Sequence, residues 1–236
     1  MTGRWIGALL ALLVAGTLPA AAPSAAGDGG TAEAVVFRPG FFARIPVPTT
    51  LIYRYRLESE LMREPYISRV RVEVRGQDAD GTKRVWLDMF DGPNHRRFGP
   101  VPAVDQNPVI LALLQKDVAT MRNLSGGAKG YFQQQIRRAF TRPPDLVEPI
   151  TVRLGERQVA ATRVRLVPFR NDPAIVRFSK FRDKRYEFVV SDAVPGGLYR
   201  MTIEVPDPER PDRPVLREVL TFVRALGAKP SAGGEG

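Results

Sequence analysis

Apolar and polar residues alternate along several stretches of the chain. Leu51, Tyr53, Tyr55 and Leu57 alternate with Ile52, Arg54 and Arg56, and Val70, Val72 and Val74 with Arg69, Arg71, Glu73 and Arg75. Val85, Leu87 and Met89 alternate in the same way with Arg84, Trp86 and Asp88. A period of two places one set of side chains in a core and the other in water, the pattern of a half-buried β-strand. The second and third runs flank Asp78-Ala79-Asp80-Gly81, a turn sequence that makes them a hairpin. The three predict an antiparallel meander with one buried face and one wet, arginine-rich face.

The period then changes. Asn107-Pro108 offers a helix cap followed by proline at the first helical position. Ile110, Leu113, Leu114, Val118 and Met121 follow at intervals of three and four, until Ser125-Gly126-Gly127 breaks the run. Tyr131, Phe132, Ile136, Ala139 and Phe140 repeat the spacing before Pro143-Pro144. Two helices within about residues 107–141 are predicted. Strands resume with Ile150, Val152 and Leu154, then Val159, Val164 and Leu166. Tyr186, Phe188 and Val190 come next, then Tyr199, Met201, Ile203 and Val205, and after a proline-rich loop Leu216, Leu220 and Phe222.

The fold class expected is therefore mainly β, of α+β type: a curved antiparallel sheet or half-barrel with a two-helix insertion packed on its concave face. Residues 49–227 read as one such domain. Residues 27–48, rich in Gly and Pro, read as a flexible lead, and residues 228–236 as a disordered tail. Residues 1–26 have the three-part pattern of a secretory signal: Arg4, an apolar run from Trp5 to Leu18, then small residues. Cleavage after Ala26 is preferred, since a cut after Ala22 leaves Pro23 at the new terminus. An uncleaved membrane anchor is the alternative, disfavoured by the shortness of the run. The expected location is periplasmic or secreted. Without cysteine there is no acceptor for N-terminal lipidation, so no lipid anchor is expected.

Composition narrows the chemistry. The 236 residues carry 35 basic and 25 acidic side chains, a formal charge of +10, of which the signal holds only Arg4. The lysines are Lys83, Lys116, Lys129, Lys180, Lys184 and Lys229, and every other basic residue is arginine. Outside the cytoplasm nucleic acid is not expected, and an anionic membrane surface or an envelope protein is the fitting partner for such charge. One histidine and no cysteine leave little room for nucleophilic or metal chemistry, and no cofactor is expected. His95 lies in the turn-rich Asp91-Gly92-Pro93-Asn94-His95-Arg96-Arg97 and reads as a loop residue without a special role. No Gly-x-Ser-x-Gly elbow occurs. Asp78-x-Asp80-Gly81 lacks the twelfth-position glutamate of a calcium loop, and Ser125 to Gly130 lacks phosphate-loop spacing. Glu58, Glu60 and Glu64 read as solvated residues at a strand end.

Arg177-Phe178-Ser179-Lys180-Phe181-Arg182-Asp183-Lys184-Arg185 stands apart, with five cations, one anion and two phenylalanines. It is either a strand with one wet face or a surface for anionic lipid, with Arg177, Lys180, Arg182, Lys184 and Arg185 exposed. The second reading holds that five cations cannot be buried with Asp183 as the one local partner.

The order of elements, and the hairpin from Tyr186 to Met201 with its Ser191-x-x-Val194-Pro195-Gly196-Gly197 core, resemble the periplasmic half-barrels of the outer-membrane lipoprotein carrier type. The resemblance in architecture covers about residues 50–226 and implies a hydrophobic cavity between a curved sheet and its helices, holding acyl chains. It implies no catalytic residue. The function expected is a non-enzymatic binder or carrier of a lipid, acylated or other apolar molecule. Its cavity candidates are Tyr53, Tyr55, Val72, Leu87, Ile110, Leu114, Val118, Met121, Phe132 and Ile136. The alternative is an envelope scaffold or assembly factor that binds a protein or an anionic polymer through its basic face.

Overall fold

The computed structural model describes residues 30–104, 106–210 and 212–227. The expected signal and tail lie outside them. One nine-stranded antiparallel sheet dominates, in the order β4-β3-β2-β1-β9-β8-β7-β6-β5. Its first meander is β1 (Thr49–Ser59), β2 (Tyr66–Gln77), β3 (Lys83–Met89) and β4 (Arg96–Ala103). The second is β5 (Leu146–Leu154), β6 (Arg157–Leu166), β7 (Arg185–Val190), β8 (Leu198–Val205) and β9 (Leu216–Gly227). The first and last strands, β1 and β9, join the two halves at the centre, with Tyr55 opposite Leu220.

This order dictates where the helices go. β4 and β5 are the two outer edges of the sheet, so the chain between them must cross one face. It crosses the concave face as α2 (Pro108–Ser125) and α3 (Lys129–Phe140). The Asn107 side chain caps α2 by accepting from the Val109 N–H at 3.2 Å, and Gly126 ends it in the left-handed conformation at φ 69°. The apolar set of each strand faces the helices: Tyr53, Val70 and Phe222 stand side by side across β2, β1 and β9.

The lead is a correction. Residues 30–48 form a short helix, α1 (Ala32–Val36), followed by turns, and Val36, Phe41, Phe42 and Ile45 are buried. Their apolar area is what the Gly and Pro content concealed, and its removal from water holds the segment down. Arg38 and Arg44 both reach Asp192, at 2.7 and 2.9 Å. The Gly-Gly pair of the late hairpin exists for this contact: Gly197 sits at φ 76°, and a Cβ there would lie 2.3 Å from the Phe41 ring. Asn107 donates from its side chain to the Gly196 carbonyl at 3.1 Å, tying the same turn to the start of α2.

The basic segment is a second correction. Pro173–Phe181 is not a strand but a run of 3-10 turns, started by Asp172, whose side chain accepts from the Ala174 N–H at 2.9 Å. It straps the end of α3: Phe178 and Phe181 stand 5.3 and 6.0 Å from Phe132, with Phe169 and Tyr131 completing the cluster. Among the described residues no helix is long and apolar enough to cross a membrane.

Candidate functional site

The two ends of the concave face are filled differently. At the β5–β7 end the aromatic cluster closes the space between strap, helix and sheet. At the β3–β4 end an open cleft of about 490 Å³ remains, between the edge hairpin and the first turns of α2. Leu87, Met89, Phe90, Phe98, Val101, Pro108, Leu111 and Ala112 line it, with Arg96, Gln115 and Lys116 at its margins. Two of its large apolar side chains face water, Phe98 at 49% and Leu111 at 41% exposure. The volume and apolar lining with few polar groups are those of a small-molecule pocket. Phe90 is held at φ 64°, a conformation uncommon for a residue with a side chain, and its ring lies 4.8 Å from that of Tyr55. A second cleft of about 370 Å³ lies on the other side of α2, lined among others by Phe37, Leu114, Val118, Ile136 and Phe140. Leu111 and Gln115 border both.

Beneath α2 lies a polar network that the sequence did not reveal. Glu218, on the concave side of β9, accepts on one carboxylate oxygen, Oε2, from Tyr55 at 2.7 Å and from Lys116 at 2.8 Å. One helical residue further, Asp117 accepts from Lys184 at 2.5 Å and from the Tyr186 hydroxyl at 2.7 Å. Burial pushes the Tyr55 and Tyr186 hydroxyls well above the usual tyrosine range, with the Glu218 and Asp117 carboxylates adding to it. Lys184 is thus not surface. It is 1% exposed, and its partner comes from a helix 67 residues away, which a search for local counter-charges could not find.

Placed on this frame, the sequence-derived cavity residues separate. Leu87 lines the first cleft, while Leu114, Val118 and Ile136 line the second. Tyr53, Tyr55, Val72, Ile110, Met121 and Phe132 are packed core. Phe90, Phe98, Val101 and Leu111 escaped the reading, and Met89 entered it only through its strand alternation. Leu111 lies one residue beside the apolar stripe of its helix, and Phe98 is isolated among arginines and prolines on an edge strand without alternation. Of the other cations in the basic segment, Arg177, Lys180 and Arg182 are exposed, Lys180 donating to the Leu124 carbonyl at 2.7 Å, and Arg185 pairs with Glu204.

No family model matches the sequence, and no curated protein matches it. Solved structures do resemble the chain. Lipoprotein LppX of Mycobacterium tuberculosis is 8% identical over 77% of this chain and 90% of its own, with a TM-score of 0.28. A LolA superfamily protein of Nitrosomonas europaea is 10% identical over 85% and 94%, at 0.23. A domain described as that of an outer-membrane lipoprotein-sorting protein, from Vibrio parahaemolyticus, is 9% identical over 80% and 87%, at 0.20. The second and third carry descriptions of the class that the order of elements resembles. TM-scores of this size carry no argument about ligand or activity, which must be read from this chain's own cleft.

The convex face answers the arginine count. Arg71 meets Asp88 at 3.1 Å, Arg97 meets Glu73 at 3.0 Å, Arg163 meets Glu148 at 2.5 Å and Arg165 meets Glu187 at 2.9 Å. Several of the strand arginines thus share a carboxylate with the strands beside them. His95 is paired as well, with Asp88. Burial raises the Asp88 pKa, but His95 and Arg71 together outweigh it and hold this carboxyl below the usual range. Among the described residues no three His, Asp or Glu side chains converge as a metal site would require.

Proposed function

We propose that this is an exported, non-enzymatic binder or carrier of an apolar or acylated molecule, whose acyl portion lies in the cleft between the β3–β4 hairpin and α2. The observation that carries the reading is the cleft itself: about 490 Å³, walled by eight apolar side chains and open to water, beside a packed apolar core. An apolar surface of this kind, left uncovered beside a filled core, has no use in stability and costs solvation. The scaffold reading through a basic face rests on charge alone, and several strand arginines of the convex face are already paired with carboxylates. Export follows from the amino-terminal sequence pattern and is part of the same proposal.

Native mass spectrometry of the protein purified from the envelope of its own cell, followed by organic extraction, should release an apolar or acylated molecule. Leu111→Glu, which sets a charge on the rim shared by both clefts, should abolish that adduct and leave the fold intact. Protein that carries nothing, and that takes up no acyl probe after stripping, would overturn the reading.

A further inference from the structure

Two residues that line the cleft, Phe90 and Lys116, also contact buried polar residues behind it. Glu218 is 3% exposed, and both of its hydrogen bonds, from Tyr55 and Lys116, fall on Oε2. Its other oxygen, Oε1, is buried without a partner among the described residues. So is the hydroxyl of Tyr66. The two residues flank Leu57 on neighbouring strands. Tyr66, Leu57 and Glu218 stand in one cross-strand row of β2, β1 and β9, so their side chains share the concave face. The Tyr66 ring packs 6.1 Å from Tyr55 and 6.3 Å from Phe90, and Phe90 and Lys116 are walls of the cleft. A buried carboxylate oxygen and a buried phenol without partners are costly, and native proteins rarely keep them unused.

The charges beside them decide what fits. Lys116 and Lys184 are matched one to one by Glu218 and Asp117. An entering carboxylate or phosphate would meet Glu218, and an entering ammonium would meet Lys116, so either would unbalance a desolvated set. A hydroxyl changes no charge, and it can donate to one atom while accepting from the other. Resting on the carrier reading above, we propose that the cleft opens behind Phe90 and Lys116 onto a head-group subsite for an uncharged, hydroxyl-bearing lipid such as an acylglycerol, which donates to Glu218 Oε1 and accepts from the Tyr66 hydroxyl. Lys116, partly exposed and on a flexible stem, is the side chain that must swing aside as the head group enters.

Four twelve-carbon probes test this by calorimetry on the full-length protein, each below its micelle threshold: monolauroylglycerol, lauric acid, dodecylamine and methyl laurate. The monoglyceride should bind about tenfold more tightly than the methyl ester, the gain expected from one or two recovered hydrogen bonds, with the acid and the amine no better than the ester. Tyr66→Phe, which removes one oxygen and nothing else, should lose about fivefold for the monoglyceride and leave the ester unchanged; Glu218→Gln should narrow the gap in the same direction. Equal affinities for all four probes would overturn the head-group subsite while leaving the apolar carrier standing. Tightest binding by lauric acid would replace it with an anion subsite at Lys116 and Arg96. No binding of any probe to folded protein would overturn both.

Discussion

The two ends of the concave face are built on the same plan and finished in opposite ways. At the β5–β7 end, the strap Pro173–Phe181 presses Phe178 and Phe181 onto Phe132, and the Lys184–Asp117 pair joins the following strand to α2. At the β3–β4 end the corresponding connection is a single 3-10 turn, Gly92–Asn94, too short to cover the face, and β4 is an edge strand containing Pro100 and Pro102. The consequence is physical: one half has covering chain and fills with aromatic rings, the other lacks cover and retains a cleft. Whether a half-barrel of this kind is a solid core or a container is settled by one connection, not by the sheet.

Truncations in the closed half should show the largest effects. Phe132→Ala empties the centre of the aromatic cluster and should cost about 3–5 kcal/mol in denaturant unfolding. Lys184→Ala leaves Asp117 buried with Tyr186 alone and should cost a similar amount, about 3–5 kcal/mol. If either variant is as stable as the parent, the closed half is not the packed unit described. Gly197→Ala should come next, at about 1–3 kcal/mol, because it demands both a left-handed backbone and the space of the Phe41 ring. Limited proteolysis should then cut within residues 30–48 before the rest of the domain.

Raising the pH should strain both halves, through Tyr53, Tyr55 and Tyr186. Their folded pKa values stand above the ordinary tyrosine value, chiefly through burial, so their contribution is complete below about pH 10 and is lost as pH rises further. Tyr131, pushed up to about 12 by burial and the nearby Asp172, adds to the same loss between pH 10 and 12. Tyrosinate absorbance and far-ultraviolet circular dichroism should therefore change in one transition. Ionisation of the buried tyrosines well before the loss of structure would contradict the burial of the network. The smallest stability effect belongs to the open half: Phe98→Ala should cost less than about 1 kcal/mol, since half of the side chain is already in water. It should nonetheless weaken acyl-probe binding several-fold.

The same contrast explains what the sequence made legible. Strand alternation around Tyr53, Val72 and Leu87 and helical spacing around Ile110 and Phe132 gave the sheet, the helical pair and their facing sides, because each pattern is local and repeats. Lys184 and Glu218 were opaque, since their meaning depends on partners brought from Asp117, Lys116 and Tyr55 by the topology. Phe41 and Ile45 were hidden in a segment whose Gly and Pro content imitates a linker. The cleft was least visible, because a cavity is made by what does not cover it, and the walls Phe98 and Leu111 lie off the repeating stripes.

Photolabelling with a diazirine-bearing dodecanoyl glycerol tests the difference between the two halves most directly. The label should attach to β3, β4 and α2, at residues such as Leu87, Phe98 and Leu111, and be displaced by unlabelled monoglyceride. Saturable labelling of Phe132, Phe169 or Phe178, or of the convex face, would contradict an acyl site in the open half.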